Sequence, residues 1–202
     1  MTPKRRKPNT RKPDETRRRL LDAAETAFNS KGFEGTDTNR IARAAGYAPQ
    51  TFYRHFKDKT DIFLSVYERW WRDEGAAVGH AIAAGGRAED IASVVMSFHA
   101  RWKIFRRSLR HLAVSDSRVR AARAEARRQQ LKVLAALRGH TAPKIAQLTV
   151  SLLALERLCD AAAEGELADL GISKAAARNM IANAVLATHG AAPRARNSRN
   201  RT

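Results

Sequence analysis

Cysteine is almost missing from this chain. Cys159 is the single one in 202 residues, which excludes an internal disulfide and any cysteine-rich zinc module. No apolar run approaches the ~20 residues that a membrane span requires. The N-terminus is basic but lacks the apolar stretch of a secretory signal, so a cytoplasmic protein with no membrane association is expected. Glycine-rich phosphate loops, nucleophile motifs and histidine pairs at metal-ligand spacing are all missing, and the six histidines are scattered. Neither an enzyme nor a metal or cofactor site is therefore expected.

Acidic residues are absent from both ends. Residues 1–13 carry six Lys/Arg and residues 191–202 carry four Arg, with no acid in either segment. Between them, residues 14–100 are close to neutral, with twelve basic and thirteen acidic groups. Residues 101–138 are lopsided again, with twelve basic groups against Asp116 and Glu125. The formal net charge of +18 is thus concentrated outside residues 14–100. Three prolines and dense positive charge make residues 1–13 a disordered basic arm, fit either to follow the DNA minor groove or backbone or to act as a solubilising tail. Residues 191–202 read as a second disordered tail.

What is present is helical. Ala and Leu dominate over β-branched residues, and 44% of the chain is apolar, enough for a core. The stretch TDTNRIARAAGYAPQTFYRHFKDK, Thr36 to Lys59, reads as two short helices about a tight turn, with a third starting at its end. Ile41, Ala42 and Ala45 recur at the helical 3–4 spacing. Gly46 breaks it, being the residue that enters left-handed turns at no steric cost. Pro49 restarts a helix at its first position, where its missing N–H has no partner to lose. Phe52 and Phe56 turn inward, which leaves Gln50, Thr51, Tyr53, Arg54 and His55 outward. An apolar underside beneath a hydrogen-bonding face suits a helix to the major groove of DNA. Residues 37–56 are a helix-turn-helix motif.

Several spaced elements agree in order with one family. The opening helix TRRRLLDAAETAFNSKGF, the IARAAG turn, the TFYRHF recognition helix and the following KDKTDIF make residues 14–74 resemble the DNA-binding domain of the TetR family of one-component bacterial repressors. The remainder is similar only in length and helical character. The resemblance implies that Ala48, Pro49 and Gln50 point at base edges, where Gln50 can pair with adenine and Ala48 can touch a thymine methyl. It places Thr51 and Tyr53 on phosphate, Arg54 and His55 near the backbone at the helix end (His55 is equally read as packed against its neighbours), and Lys59 on a phosphate at the start of the next helix. Thr38, Asn39 and Arg40 are expected at the DNA as well. Thr36 or Asp37 caps their helix, and for Asp37 the cap is the better reading because its charge repels phosphate. Tyr47, Ala48 and Gln50 depart from the family's common residues, which bears on operator sequence and not on binding mode.

The first helix is expected over Asp14–Lys31, buried through Leu20, Leu21, Ala24, Ala27 and Phe28. A fourth helix, capped by Asp58, carries Ile62, Phe63, Val66 and Trp70 into a second helical domain, residues 75–190. There Ile91, Val95, Phe98, Trp102 and Phe105 repeat at helical spacing, with His99 beside that stripe. A shorter helix follows to Ala113. Val119, Ala122, Ala126, Val133 and Leu137 form the apolar side of another that ends at Gly139. Its other faces hold Arg118, Arg120, Arg123, Arg127, Arg128 and Lys132, which read as a solvated face or as a site for an acidic ligand or nucleic acid. Trp70, Met96, Phe98, His99, Trp102 and Phe105 are candidate contacts for an unknown small-molecule effector, or simply core. The last two helices are apolar on most sides and small-residue-rich, so they pair with their copies in a homodimer or fill a single-chain core.

The fold class is therefore all-α, an N-terminal three-helix helix-turn-helix domain plus a C-terminal helical ligand-binding and dimerisation domain. The function expected is a ligand-responsive, dimeric regulator of double-stranded DNA, a repressor released by its effector. An activator of the same family and a non-specific basic nucleic-acid binder remain as alternatives.

Overall fold

The computed structural model describes residues 11–138 and 145–189. Among the described residues there are ten helices and no strand. In chain order they are α1 (Arg11–Lys31), α2 (Thr38–Ala44), α3 (Pro49–Phe52), α4 (Lys59–Ala83), α5 (Ala88–Arg101), α6 (Lys103–Ser115), α7 (Ser117–Arg138), α8 (Ile145–Glu164), α9 (Glu166–Asp169) and α10 (Lys174–His189). They fall into two compact units, Met1–Glu68 and Arg69–Thr202, and the division lies within α4.

The first unit is built on phenylalanine. Phe28 and Phe33 each meet Phe63 edge to face, at 5.1 and 5.2 Å, a favoured geometry for aromatic quadrupoles. Leu20, Ala24, Ile41, Ala42, Phe52, Ile62 and Val66 complete a fully buried core. Arg17 closes it from α1, its guanidinium 4.9 Å from the Phe56 ring centroid and hydrogen-bonded to Ser65. α1 starts at Arg11, not at Asp14 as expected. Pro13 does not delay it, because the first four N–H groups of a helix have no intrahelical partner and a proline there removes nothing. Residues 1–10 of the expected arm, the tail 191–202 and the expected helix end at Gly139 lie outside the described residues.

In the second unit α5, α8 and α10 pack around Ile91, Ala92, Val95, Leu155, Cys159, Ile181, Ala182 and Val185. The stripe expected over one helix from Ile91 to Phe105 is divided. The chain leaves helical geometry at Trp102 (φ −107°, ψ 16°), which ends α5 and precedes α6. The inward face of α5 is Ile91, Ala92, Val95 and His99, so His99 lies within the stripe and Phe98, half-buried beneath Arg101, lies beside it. On α7 the inward residues are Val119 and Leu134, whereas Val133 and Leu137 are exposed. α8 is less covered than its composition suggests: Leu148, Leu152 and Leu155 are buried, but Ile145, Val150 and Leu153 stand in solvent within this single chain.

Candidate nucleic-acid interface

The turn between α2 and α3 is fixed by backbone chemistry. Asp37 caps α2 by accepting from Arg40 N at 2.8 Å, and its other oxygen sits 3.3 Å from Arg40 Nε. At the far end Gly46 takes φ +82°. Its N–H donates to Arg43 O and that of Tyr47 to Ala42 O, the paired bonds of a glycine-terminated helix. Ala48 then precedes Pro49 at the first position of α3. The regular helix ends at Phe52, four residues in, and not at Phe56 as the sequence suggests. The path nevertheless keeps turning, with His55 N and Phe56 N both donating to Phe52 O. Phe52 and Phe56 anchor this stretch in the core.

The candidate DNA-contact residues are left outward to different degrees. Asn39, Arg40, Ala48, Gln50, Tyr53 and Arg54 are exposed, and Thr38, Pro49, Thr51 and His55 are partly so. Thr38 and Tyr53 share a hydrogen bond of 3.1 Å between their hydroxyls, which ties the start of α2 to the end of α3 and sets the Tyr53 ring while leaving it 58% exposed.

Lys59, expected on a phosphate, makes contacts within the first unit. Its ammonium donates to Phe33 O at 3.0 Å and Thr36 O at 3.2 Å and lies 4.0 Å above the Phe33 ring. It clamps the α1–α2 loop. The start of α4 is also less inviting to phosphate than its free N–H groups suggested. Asp58 accepts from Asp61 N and Asp61 from Lys57 N, both at 2.8 Å, so two carboxylates occupy that helix end. The exposed cations near the motif that the sequence reading passed over are Arg43 and Lys57. Their signal was available, since both flank the motif and neither falls on an apolar stripe.

The candidate effector residues lie in the second unit. Trp70, His99, Trp102 and Phe105 are buried, and Met96 packs against the α5–α8–α10 core. Trp70 meets His99 edge to face at 6.2 Å and Trp102 meets Phe105 at 5.5 Å. Phe98 is not brought into this group by any of these ring contacts. What the sequence reading missed is the charge among them. Asp160 on α8 accepts from His99 Nδ1 at 2.8 Å and from Arg106 Nε at 2.6 Å, and Arg110 Nη1 stands 2.6 Å from its other oxygen, off the line of a hydrogen bond. Arg106 also lies 4.6 Å over Trp70. Glu164 receives Arg110, and Glu156 receives Arg127 and Arg123.

Burial alone would push Asp160 up, but hydrogen bonds from His99 and Arg106 and the Arg106 charge hold it well below the usual carboxylate range. Burial and the Arg106 charge likewise hold His99 below its ordinary value, against the pull of Asp160. Burial pushes Glu74 the other way, up to about 7. So Arg123 and Arg127, two of the arginines expected on a solvated face or at an acidic ligand, are engaged by Glu156, and Arg106 and Arg110 of α6 are engaged by Asp160 and Glu164. The pattern was there to read: Glu156, Asp160 and Glu164 recur every fourth residue, and Arg106 and Arg110 are spaced to meet them.

Comparison with known proteins agrees with this arrangement. Residues 20–66 match the model of bacterial regulatory proteins of the tetR family. The chain is 43% identical over 54 residues to the HTH-type transcriptional regulator AcrR of Shigella flexneri, covering 27% of this chain and 25% of that protein. It is 42% identical over 55 residues to an HTH-type regulator of Staphylococcus aureus strain bovine RF122 / ET3-1, covering 27% and 30%. The match thus spans less than a third of these relatives' lengths. At the level of the fold, a protein from Rhodococcus sp. described as a TetR-family transcriptional regulator superposes with a TM-score of 0.65 at 20% identity, over 87% of this chain and 99% of that one. The fatty acid degradation regulator FadR from Bacillus halodurans does so at 0.58 and 17% identity, over 93% and 98%. The relatives matched in sequence are HTH-type transcriptional regulators, and residues 20–66 carry the DNA-binding domain of the tetR family of bacterial regulatory proteins.

Proposed function

We propose that this chain is a sequence-specific DNA-binding transcriptional repressor that grips a near-palindromic operator as a homodimer and lets go when a small molecule binds its second unit. The observation that carries the reading is the rigid, polar face of α2 and α3. The glycine-terminated turn, the Pro49 start and the Thr38–Tyr53 hydrogen bond hold Gln50 and Tyr53 exposed above a packed phenylalanine core. Ala48, Pro49 and Gln50 read base edges; Thr38, Asn39, Arg40, Thr51, Tyr53, Arg54 and His55 position the head on phosphate. Lys59 serves this surface by holding the loop before α2, and Lys57 takes the phosphate contact in its place.

Dimerisation is supported by the apolar side chains that α8 and α10 leave in solvent, among them Val150, Leu153, Met180 and Leu186. Their pairing across a two-fold axis buries surface that one chain leaves open. Two heads then meet major grooves about 34–36 Å apart on one face of the duplex. The effector lodges near Trp70, Met96, Trp102 and Phe105 and acts through α4, which is one helix from Lys59 to Ala83. No described helix is long and apolar enough to cross a membrane, in keeping with a cytoplasmic site of action. The non-specific charge binder loses ground, since Arg106, Arg110, Arg123 and Arg127 are committed to Asp160, Glu164 and Glu156.

Selection of bound fragments from random duplexes, followed by competition at rising salt, tests the proposal. A regulator retains a strong preference for one symmetric site as salt rises, whereas a binder of charge alone loses matched and scrambled duplexes together.

A further inference from the structure

We propose that the second unit holds a single proton in the gap between His99 Nε2 and Glu74 Oε1, and that this proton fastens α4 to α5. The inference goes beyond the regulatory reading and stands without it. It begins at Asp160, which faces the Arg106 and Arg110 guanidiniums at 2.6 Å each. Between two cations it is a carboxylate, which only accepts hydrogen bonds. Its Oδ1 lies 2.8 Å from His99 Nδ1, so Nδ1 carries a hydrogen and donates it. A neutral imidazole protonated there presents a bare lone pair at Nε2.

His99 Nε2 lies 3.5 Å from Glu74 Oε1. The oxygen is buried and has no hydrogen-bond partner as the atoms stand. Two acceptors facing one another inside a protein repel, and the cost of leaving them so is that of buried unsatisfied groups. One proton between them turns the repulsion into a hydrogen bond.

The surrounding charges decide where the proton rests. Glu74 on α4 is faced by His99 on α5, by Arg106 on α6, and by Glu156 and Asp160 on α8. Burial, with the two acids, raises Glu74 to about 7 against the opposing Arg106. Burial and Arg106 lower His99. The Glu74 carboxyl therefore keeps the proton and donates to Nε2. Cys159, next to Asp160, is pushed far up by burial and takes no part near neutrality. As pH rises through about 7 the carboxyl ionises, the two groups become facing acceptors, and the tie between α4 and α5 is lost.

The test uses the full-length chain with ¹³C in its glutamate side-chain carboxyls. One resonance is expected to titrate with a midpoint near 7, and it is expected to be absent from Glu74→Gln. Glu74→Gln itself supplies an amide N–H in place of the carboxyl proton. A group raised in the folded state contributes stability that is present below its unfolded value of 4.5 and is lost as pH climbs to the folded one. The ratio of wild-type to Glu74→Gln unfolding constants should accordingly rise on the order of a hundredfold across that window. The His99 contribution is common to both chains and cancels. If every glutamate carboxyl titrates below about 5.5, or if the ratio of unfolding constants stays flat with pH, there is no such proton and the proposal is overturned. The wild-type carboxyl titration decides the matter even if the variant does not fold.

Discussion

Replacing Asp160 by Asn removes one charge from the interior of the second unit and should cost more than most substitutions in this chain. Asp160 is 3% exposed and Arg106 4%. In the variant the Arg106 guanidinium stays buried over Trp70 without its carboxylate, and the new amide N–H₂ points a donor at donors. Breaking a buried pair from one side costs roughly 3–5 kcal/mol, a large share of the ~5–15 kcal/mol that holds a domain together. At about 2 kcal/mol/M in urea the midpoint falls by roughly 1.5–2.5 M. The assay is unusually clean, because Trp70, Trp71 and Trp102 are the only tryptophans and all three lie in the second unit. Tryptophan fluorescence follows that unit while far-UV circular dichroism follows both. The wild-type advantage should be full above the ordinary Asp value of 3.8 and shrink as pH falls below it, since the folded-state value is lowered. A midpoint shift below about 0.5 M, corresponding to ~1 kcal/mol, would refute the reasoning and make the network a set of loosely solvated pairs.

Other expectations follow from single side chains. Phe63→Ala, which removes the ring that Phe28 and Phe33 both pack against, should destabilise the first unit by about 3–5 kcal/mol, read by circular dichroism with little change in tryptophan fluorescence. Gln50→Ala should blur base preference while leaving affinity for scrambled DNA almost unchanged; equal loss on both in mobility shifts removes Gln50 from the reading set. Val150→Glu should raise the dimer dissociation constant at least tenfold without changing the helical content, since it places charge in the proposed apolar contact; an unchanged molar mass by light scattering at micromolar concentration would put the contact elsewhere.

The first unit was legible because its signals are local. Gly46, Pro49 and the Phe52/Phe56 pair each state a backbone or burial requirement that a few neighbouring residues decide. What was not legible there is the hydrogen bond of Lys59 to the Phe33 carbonyl, 26 residues away, which no local pattern announces. The second unit was legible as helices and much less so as contacts. Apolar spacing located α5 but put Phe98 inward in place of His99, because the energy that buries His99 comes from Asp160, 61 residues on. Leu134 and not Val133 faces inward on α7 for a similar reason: a helix this rich in arginine has no single apolar stripe, and the acids of α8 set its rotation.

The central claim is that two copies of this chain read one symmetric duplex site. It is tested most directly by the mass of the complex formed on a selected operator, measured by analytical ultracentrifugation with the full-length chain in slight excess. The account predicts two chains per duplex, or four as two dimers, with half-sites whose centres are about one helical turn apart. A single chain per duplex, or a stoichiometry that simply grows with duplex length, would contradict it.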